Sequence, residues 1–167
     1  AVEEGVGTYK NLAHEALYTS FEDLTAIFQN PLVQGTFVDL GCGAGQSVLL
    51  YAWMFPERKS IGIEFQKARL SHEIRLPNAD LIHADLLTSN IPKGDTYFLY
   101  FPTGPVLDRV LSELYQMEHD FVVVAIESHG HLLPRLEQEK WLNVEAEIPL
   151  HSKRHFEKAR LCKKIPA

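Results

Sequence analysis

The sequence is poor in cysteine, lacks any long apolar run, and shows neither an internal repeat nor a low-complexity linker. Cys42 and Cys162 are its only two thiols in 167 residues. Two isolated cysteines make neither a disulfide framework nor a zinc site, so the expected setting is reducing and cytoplasmic. No apolar stretch approaches the roughly 20 residues that a bilayer-spanning helix needs, and no membrane partner is expected. Basic charge is also scarce: 16 Lys and Arg stand against 22 Asp and Glu, a net charge of -6. That balance argues against strong nonspecific binding to nucleic acid. No signal-peptide pattern opens the chain, and it starts on Ala1 rather than Met, which leaves processing and excision from a longer protein both open.

An apolar fraction of 46% can bury a core, and the length fits one domain over 1–167. Short apolar runs alternate with helical stretches. Residues 1–30 read as N-terminal helices, at 11–16 and at 21–29, the second capped by Ser20. Residues 31–140 read as a βα core. Its strands fall at 36–40, 60–64, 79–85, 96–101 and 121–126, and its helices at 46–55, 66–74, 107–117 and 132–140. Residues 141–167 change character: 141–150 and 156–165 are extended in composition and joined by a loop of hairpin length. The fold expected is α/β: a doubly wound, mostly parallel, seven-stranded sheet closed by a C-terminal antiparallel β-hairpin.

The chemistry concentrates after the first strand. Gly41, Gly43 and Gly45 follow an apolar strand and open a helix. An open α/β sheet binds ligands there, beyond the carboxyl ends of its strands, and glycine lets the backbone come close. Glu64 ends the next strand, where a carboxylate can accept both hydroxyls of a ribose. The spacing is Gly-x-Gly-x-Gly, not the Gly-x-Gly-x-x-Gly of dinucleotide sites. Asp39, just ahead of the glycines, can pair with a ligand ammonium. S-adenosyl-L-methionine has an ammonium and a ribose but no pyrophosphate, and fits this set better than NAD does, which makes a dehydrogenase the lesser reading. Asp85, ending the third strand, can face the adenine amine or simply cap a turn.

These residues resemble a known family. Val38-Asp39-Leu40-Gly41-Cys42-Gly43-Ala44-Gly45 looks like the first motif of class I S-adenosylmethionine-dependent methyltransferases. Ile61-Gly62-Ile63-Glu64 resembles the ribose-binding strand end, Ala84-Asp85-Leu86 the adenine-side motif, and the terminal hairpin the sixth and seventh strands. The resemblance covers about 18–165. A narrower one is to the DOT1-like histone-lysine methyltransferases: Gly45-Gln46 is similar to their cofactor loop, Thr19-Ser20-Phe21 to the segment over the methionine moiety, and Phe101-Pro102-Thr103-Gly104-Pro105 to their strand-four exit. The chain departs from that group at Leu99 and Tyr100, which stand where asparagines are expected near the transferable methyl.

The resemblance implies S-adenosyl-L-methionine as cofactor, held by Thr19, Asp39, Gly41, Gly43, Gly45, Gln46, Glu64, Asp85 and Leu86. The end of strand four faces the methyl in this architecture, so Tyr100, Phe101 and Pro102 are the candidate acceptor-site residues, with sheet core as the alternative for the aromatics. Tyr18 can close over the cofactor or pack on the N-terminal helix. His129 and His131 can serve as general base or simply form a loop, and no metal site is expected. The acceptor is a protein lysine or a small molecule, and a cofactor-binding module without catalysis is the reading from another class. The six basic residues between Lys153 and Lys164 read as a solvated hairpin face, or as a patch for an acidic partner.

Overall fold

The computed structural model describes residues 19–70, 74–100, 102–127, 131–150 and 158–165. In chain order these form α1 (Phe21–Phe28), β1 (Phe37–Leu40), α2 (Gln46–Met54), β2 (Ser60–Glu64), a 3-10 turn (Lys67–Arg69), β3 (Ala79–His83), β4 (Thr96–Leu99), α3 (Gly104–Gln116), β5 (Val122–Ile126), α4 (Leu132–Glu137), β6 (Leu142–Pro149) and β7 (Lys158–Lys164). The expected helix at 11–16, Tyr18, His129 and the hairpin loop lie outside the described residues.

One seven-stranded sheet runs in the order β3-β2-β1-β4-β5-β7-β6. The pairings from β3 to β5 are parallel, and β7 enters antiparallel between β5 and β6. The strand order reverses beside β1, so the crevice beyond β1 and β4 is where such a sheet can receive a ligand.

Strand alternation assigns each side chain to a face. In β4, Tyr97 and Leu99 join one apolar cluster while Phe98 and Tyr100 join the other. The first cluster takes α3 through Leu107, Val110, Leu111 and Leu114, spaced at helical intervals, and α4 through Leu132, Leu133 and Leu136. The second takes α1 through Leu24, Ile27 and Phe28 and α2 through Val48 and Tyr51. Phe28, Phe37 and Tyr51 meet there, with Phe37 stacked on Tyr51 at 4.7 Å and Phe28 edge-on to both. Asp39 shares a strand face with Phe37, which directs its carboxyl towards α2. That placement builds one end of the site.

Boundaries differ from the expected ones in informative places. The helix expected at 66–74 is reduced, among the described residues, to the 3-10 turn Lys67–Arg69. Gln66 N–H is committed to Glu64 Oε1 at 2.9 Å and Leu70 is buried, so the chain is tied down on either side of that turn. Strand β3 stops at His83, two residues early, because the next hydrogen bond (Ala84 N–H to Glu64 O, 3.1 Å) leads into a turn built on Asp85. Helix α3 begins at Gly104, three residues before the expected start. Pro105 stands in its first turn, where its missing N–H costs nothing. α4 ends at Glu137 rather than 140.

Asn78 locks the base of α2 to the start of β3. Its Nδ2 donates to the carbonyls of Ala52, Phe55 and Arg58 at 2.9, 3.2 and 2.8 Å. Asn78→Ala leaves these half-buried carbonyls short of a donor and is expected to cost about 2 kcal/mol, read as a lower urea midpoint at unchanged slope.

Candidate functional site

Strand β1 delivers the chain into three consecutive tight reversals. Gly41, Gly43 and Gly45 have φ of 103°, 57° and 85°, in the left-handed region that side-chain-bearing residues avoid. The N–H groups of Gly41 and Cys42 both donate to Ile63 O at 2.9 Å, which fastens the loop to β2. Gly45 starts α2, and a side-chain carbon on it would stand 2.7 Å from Leu81 Cδ2. Gly62 makes room for the loop from below, since a carbon there would meet Cys42 Sγ at 2.6 Å. Around Gly41, by contrast, such a carbon would meet nothing within 4 Å, so this stretch of backbone is open on one side.

Glu64 faces the loop. Its Oε2 accepts from Gly43 N–H at 2.8 Å and its Oε1 from Gln66 N–H at 2.9 Å, which fixes the carboxylate at the carboxyl end of β2. Arg69 Nη1 stands 4.0 Å from the same Oε2. Asp39 is 4% exposed and accepts a short hydrogen bond from Ser47 Oγ. Burial pushes its carboxyl up to about 7, with Ser47's hydrogen bond opposing the rise and the charge of Glu64 adding to it.

A narrow crevice, partly open to solvent, lies over this loop. The glycine side contributes Asp39, Gly41, Cys42 and Gly43, and α2 contributes Gln46 and Ser47. Thr19, Leu24, Arg69, Phe98 and Tyr100 complete the lining, with Phe98 beside Asp39 on the neighbouring strand. Gln46 Nε2 donates to Thr19 O at 3.3 Å and so ties the segment before α1 to α2. Thr19 Oγ1 is buried with no hydrogen-bond partner among the described residues. A buried hydroxyl without a partner costs free energy, and a polar ligand atom in the crevice would relieve it.

The structure brings together Thr19, Asp39, Gly41, Gly43, Gln46 and Tyr100 on the crevice wall, with Gly45 and Glu64 directly behind the loop. Asp85 and Leu86 are not on that wall. Asp85 Oδ1 accepts from Leu87 N–H at 2.8 Å, and its carbonyl accepts from Thr88 and Ser89, so Asp85 organises a turn. Leu86 sends its side chain into the cluster under α3, and Arg109 holds its carbonyl. Only main-chain atoms of Leu86 are left to meet a ligand. Pro102 is buried and off the wall, and Phe101 lies outside the described residues.

Four wall residues escaped the sequence reading: Ser47, Arg69, Leu24 and Phe98. Ser47 carried a weak signal, a polar residue two positions after the last glycine at the start of a largely apolar helix. Phe98 is core, at 2% exposure, and also lines the crevice. Phe65, directly after Glu64, is an exposed aromatic.

Among the described residues the wall holds no group suited to act as a base at neutral pH apart from the Asp39 carboxylate. Burial raises the Tyr100 hydroxyl and the Cys42 thiol far above their ordinary values, so both stay protonated. The site thus sets the buried Asp39 carboxylate beside the aromatic side chains of Phe98 and Tyr100. Among the described residues no cluster of His, Cys, Asp and Glu could hold a metal ion, and no helix is long and apolar enough to cross a membrane.

By sequence, the chain matches no protein-family model and no curated protein. By structure it is similar to many solved chains. The pyocyanin biosynthetic protein PhzM aligns at a TM-score of 0.66 and 16% identity, over 86% of this chain and 54% of that one. An RNA methyltransferase from Salinibacter ruber, in complex with S-adenosyl-L-homocysteine, aligns at 0.65 and 16% identity over 89% and 96%. A ribosomal protein L11 methylase from Lactobacillus delbrueckii subsp. bulgaricus aligns at 0.64 and 14% over 88% and 80%. The chain thus spans about half the length of the first and most of the other two. The chain has the Rossmann-like methyltransferase fold.

Proposed function

We propose that this chain binds S-adenosyl-L-methionine over the glycine loop and transfers its methyl group to an acceptor at the Tyr100 end of the crevice. One observation carries the reading: Glu64 is held by Gly43 N–H and Gln66 N–H beside open backbone at Gly41, where a ribose would meet both. Glu64 would accept the ribose hydroxyls, and the exposed ring of Phe65 supplies a flat surface for the base. Asp39 would face the ammonium, and Thr19 Oγ1 would gain the partner it lacks. The cofactor supplies a methyl group already activated by its sulfonium. What remains for the protein is alignment and exclusion of water; an ammonium acceptor would first give up one proton to solvent, and the neutral amine would then attack the methyl as the carbon–sulfur bond breaks. Several of the structurally similar methyltransferases, the Salinibacter enzyme among them, hold S-adenosyl-L-homocysteine.

For the acceptor we favour a protein lysine. Phe98 and Tyr100 give the crevice an aromatic wall, and an aromatic face attracts an ammonium or a sulfonium by roughly 0.5–2 kcal/mol. The test is transfer of labelled methyl from S-adenosyl-L-methionine into a cell lysate, followed by size separation and acid hydrolysis. Label recovered as methyl-lysine in a protein band is the expected result. Label in the low-mass fraction would move the acceptor to a small molecule, and binding without any transfer would leave a cofactor-binding module.

A further inference from the structure

Arg69 reaches back over the glycine loop towards the end of β2. Its Nη2 lies 3.0 Å from the point a side-chain carbon on Gly43 would occupy, and its Nη1 lies 4.0 Å from Glu64 Oε2. The guanidinium therefore lies over Gly43, two residues from the open backbone at Gly41, and within ion-pair range of the β2 carboxylate that a ribose would use. A sugar bonded to Glu64 and the guanidinium would compete for that carboxylate.

The placement follows from the short 3-10 turn after β2. Gln66 N–H is bonded to Glu64, and Leu70 is buried in the cluster beneath α1 and α2. These two anchors bracket Lys67–Arg69 and aim Arg69 back over the loop. A longer helix at this point would carry the side chain away from it. The guanidinium also has an electrostatic reason to stay. Among the described residues Arg69 is the sole basic one on the crevice wall, which carries Asp39 and backs onto Glu64. The charge of Glu64 makes Asp39 harder to ionise, and the Arg69 cation stands 4.0 Å from Glu64 Oε2 as a counter-charge.

We propose that Arg69 is a built-in competitor of the cofactor: its guanidinium covers Gly43 and Glu64 and must swing out before an adenosyl group can be seated. The side chain is 33% exposed, so its outward path leads into solvent without unpacking the core. The inference rests on the cofactor reading above. It predicts opposite signs for two measurements, which a merely structural arginine would not produce. Removing the cation strips a counter-charge from the carboxylates and lowers stability without ligand. It also removes a competitor and raises affinity for the ligand.

The experiment is calorimetric titration of S-adenosyl-L-homocysteine into the wild type, Arg69→Met and Arg69→Ala, with thermal melts before and after addition. Met keeps the length of the stem and so guards against a packing artefact. Both variants are expected to bind about fivefold more tightly, the scale of a partly exposed ion pair, and to melt at lower temperature in the absence of ligand. Unchanged or weaker affinity in folded variants, with the wild type still binding, would overturn the competitor role and leave the cofactor reading standing. Absence of binding in all three proteins would remove both.

Discussion

Glu64→Ala is expected to weaken binding of S-adenosyl-L-homocysteine by about 100-fold or more, with the protein still folded. Two hydrogen bonds from ribose hydroxyls to one carboxylate are charge-assisted, and each contributes about 1.5–3 kcal/mol. A loss near 3 kcal/mol corresponds to a little over two decades in affinity. The substitution also frees Gly43 N–H and Gln66 N–H, which Glu64 now holds at 2.8 and 2.9 Å. The loop loses its fixed shape along with its ligand contact. Glu64→Gln separates the two effects, since the amide oxygen can still accept from Gly43 while the charge is gone. An intermediate loss is expected for Gln. Titration calorimetry on the three proteins reads the series, and circular dichroism checks that the variants are folded.

The second large effect is a pH dependence centred on Asp39. Its carboxyl titrates at about 7 in the folded chain because burial disfavours the ionised form. In an unfolded chain an aspartate titrates at about 4. Between those values the folded state holds a proton that the unfolded state has released. The stability this represents is present in full below about pH 4, falls as the pH rises, and is gone above about pH 7. Between pH 5 and pH 8 the wild type should therefore lose about 3 kcal/mol that Asp39→Asn does not lose. Urea titrations of both proteins at the two pH values measure the difference, and comparing them cancels the other carboxylates. A cationic ligand needs Asp39 ionised, so affinity for S-adenosyl-L-methionine should rise with pH up to about 7, with release of a proton on binding below it. A wild type and Asp39→Asn with parallel pH profiles would contradict this assignment.

Much of this was legible in the sequence because the signals were redundant. The run from Val38 to Gly45 states strand, turn and helix in eight residues, and each glycine proved to need its positive φ. Glu64 was legible by position, since a strand end next to a glycine loop has few places to point. Strand alternation accounts for the split of Tyr97 and Leu99 from Phe98 and Tyr100 between the two clusters. What was not legible depends on contacts between distant segments. The stretch 66–74 has helical composition, but Glu64 captures the amide of Gln66 and the core captures Leu70, which limits the described part to one turn. Asp85 carries the right residue type for an adenine contact, yet its carboxylate closes a local turn. Arg69 had no motif to announce it. Its role follows only from seeing where a one-turn helix aims a long side chain.

The placement of an adenosyl group is tested most directly by a crystal structure of the chain with S-adenosyl-L-homocysteine. The expected result is both ribose hydroxyls within hydrogen-bonding distance of Glu64, the sugar against Gly43 and Arg69 displaced outward. Density for the ligand away from the glycine loop, or a well-ordered crevice in which Glu64 still bonds only Gly43 and Gln66, would contradict it.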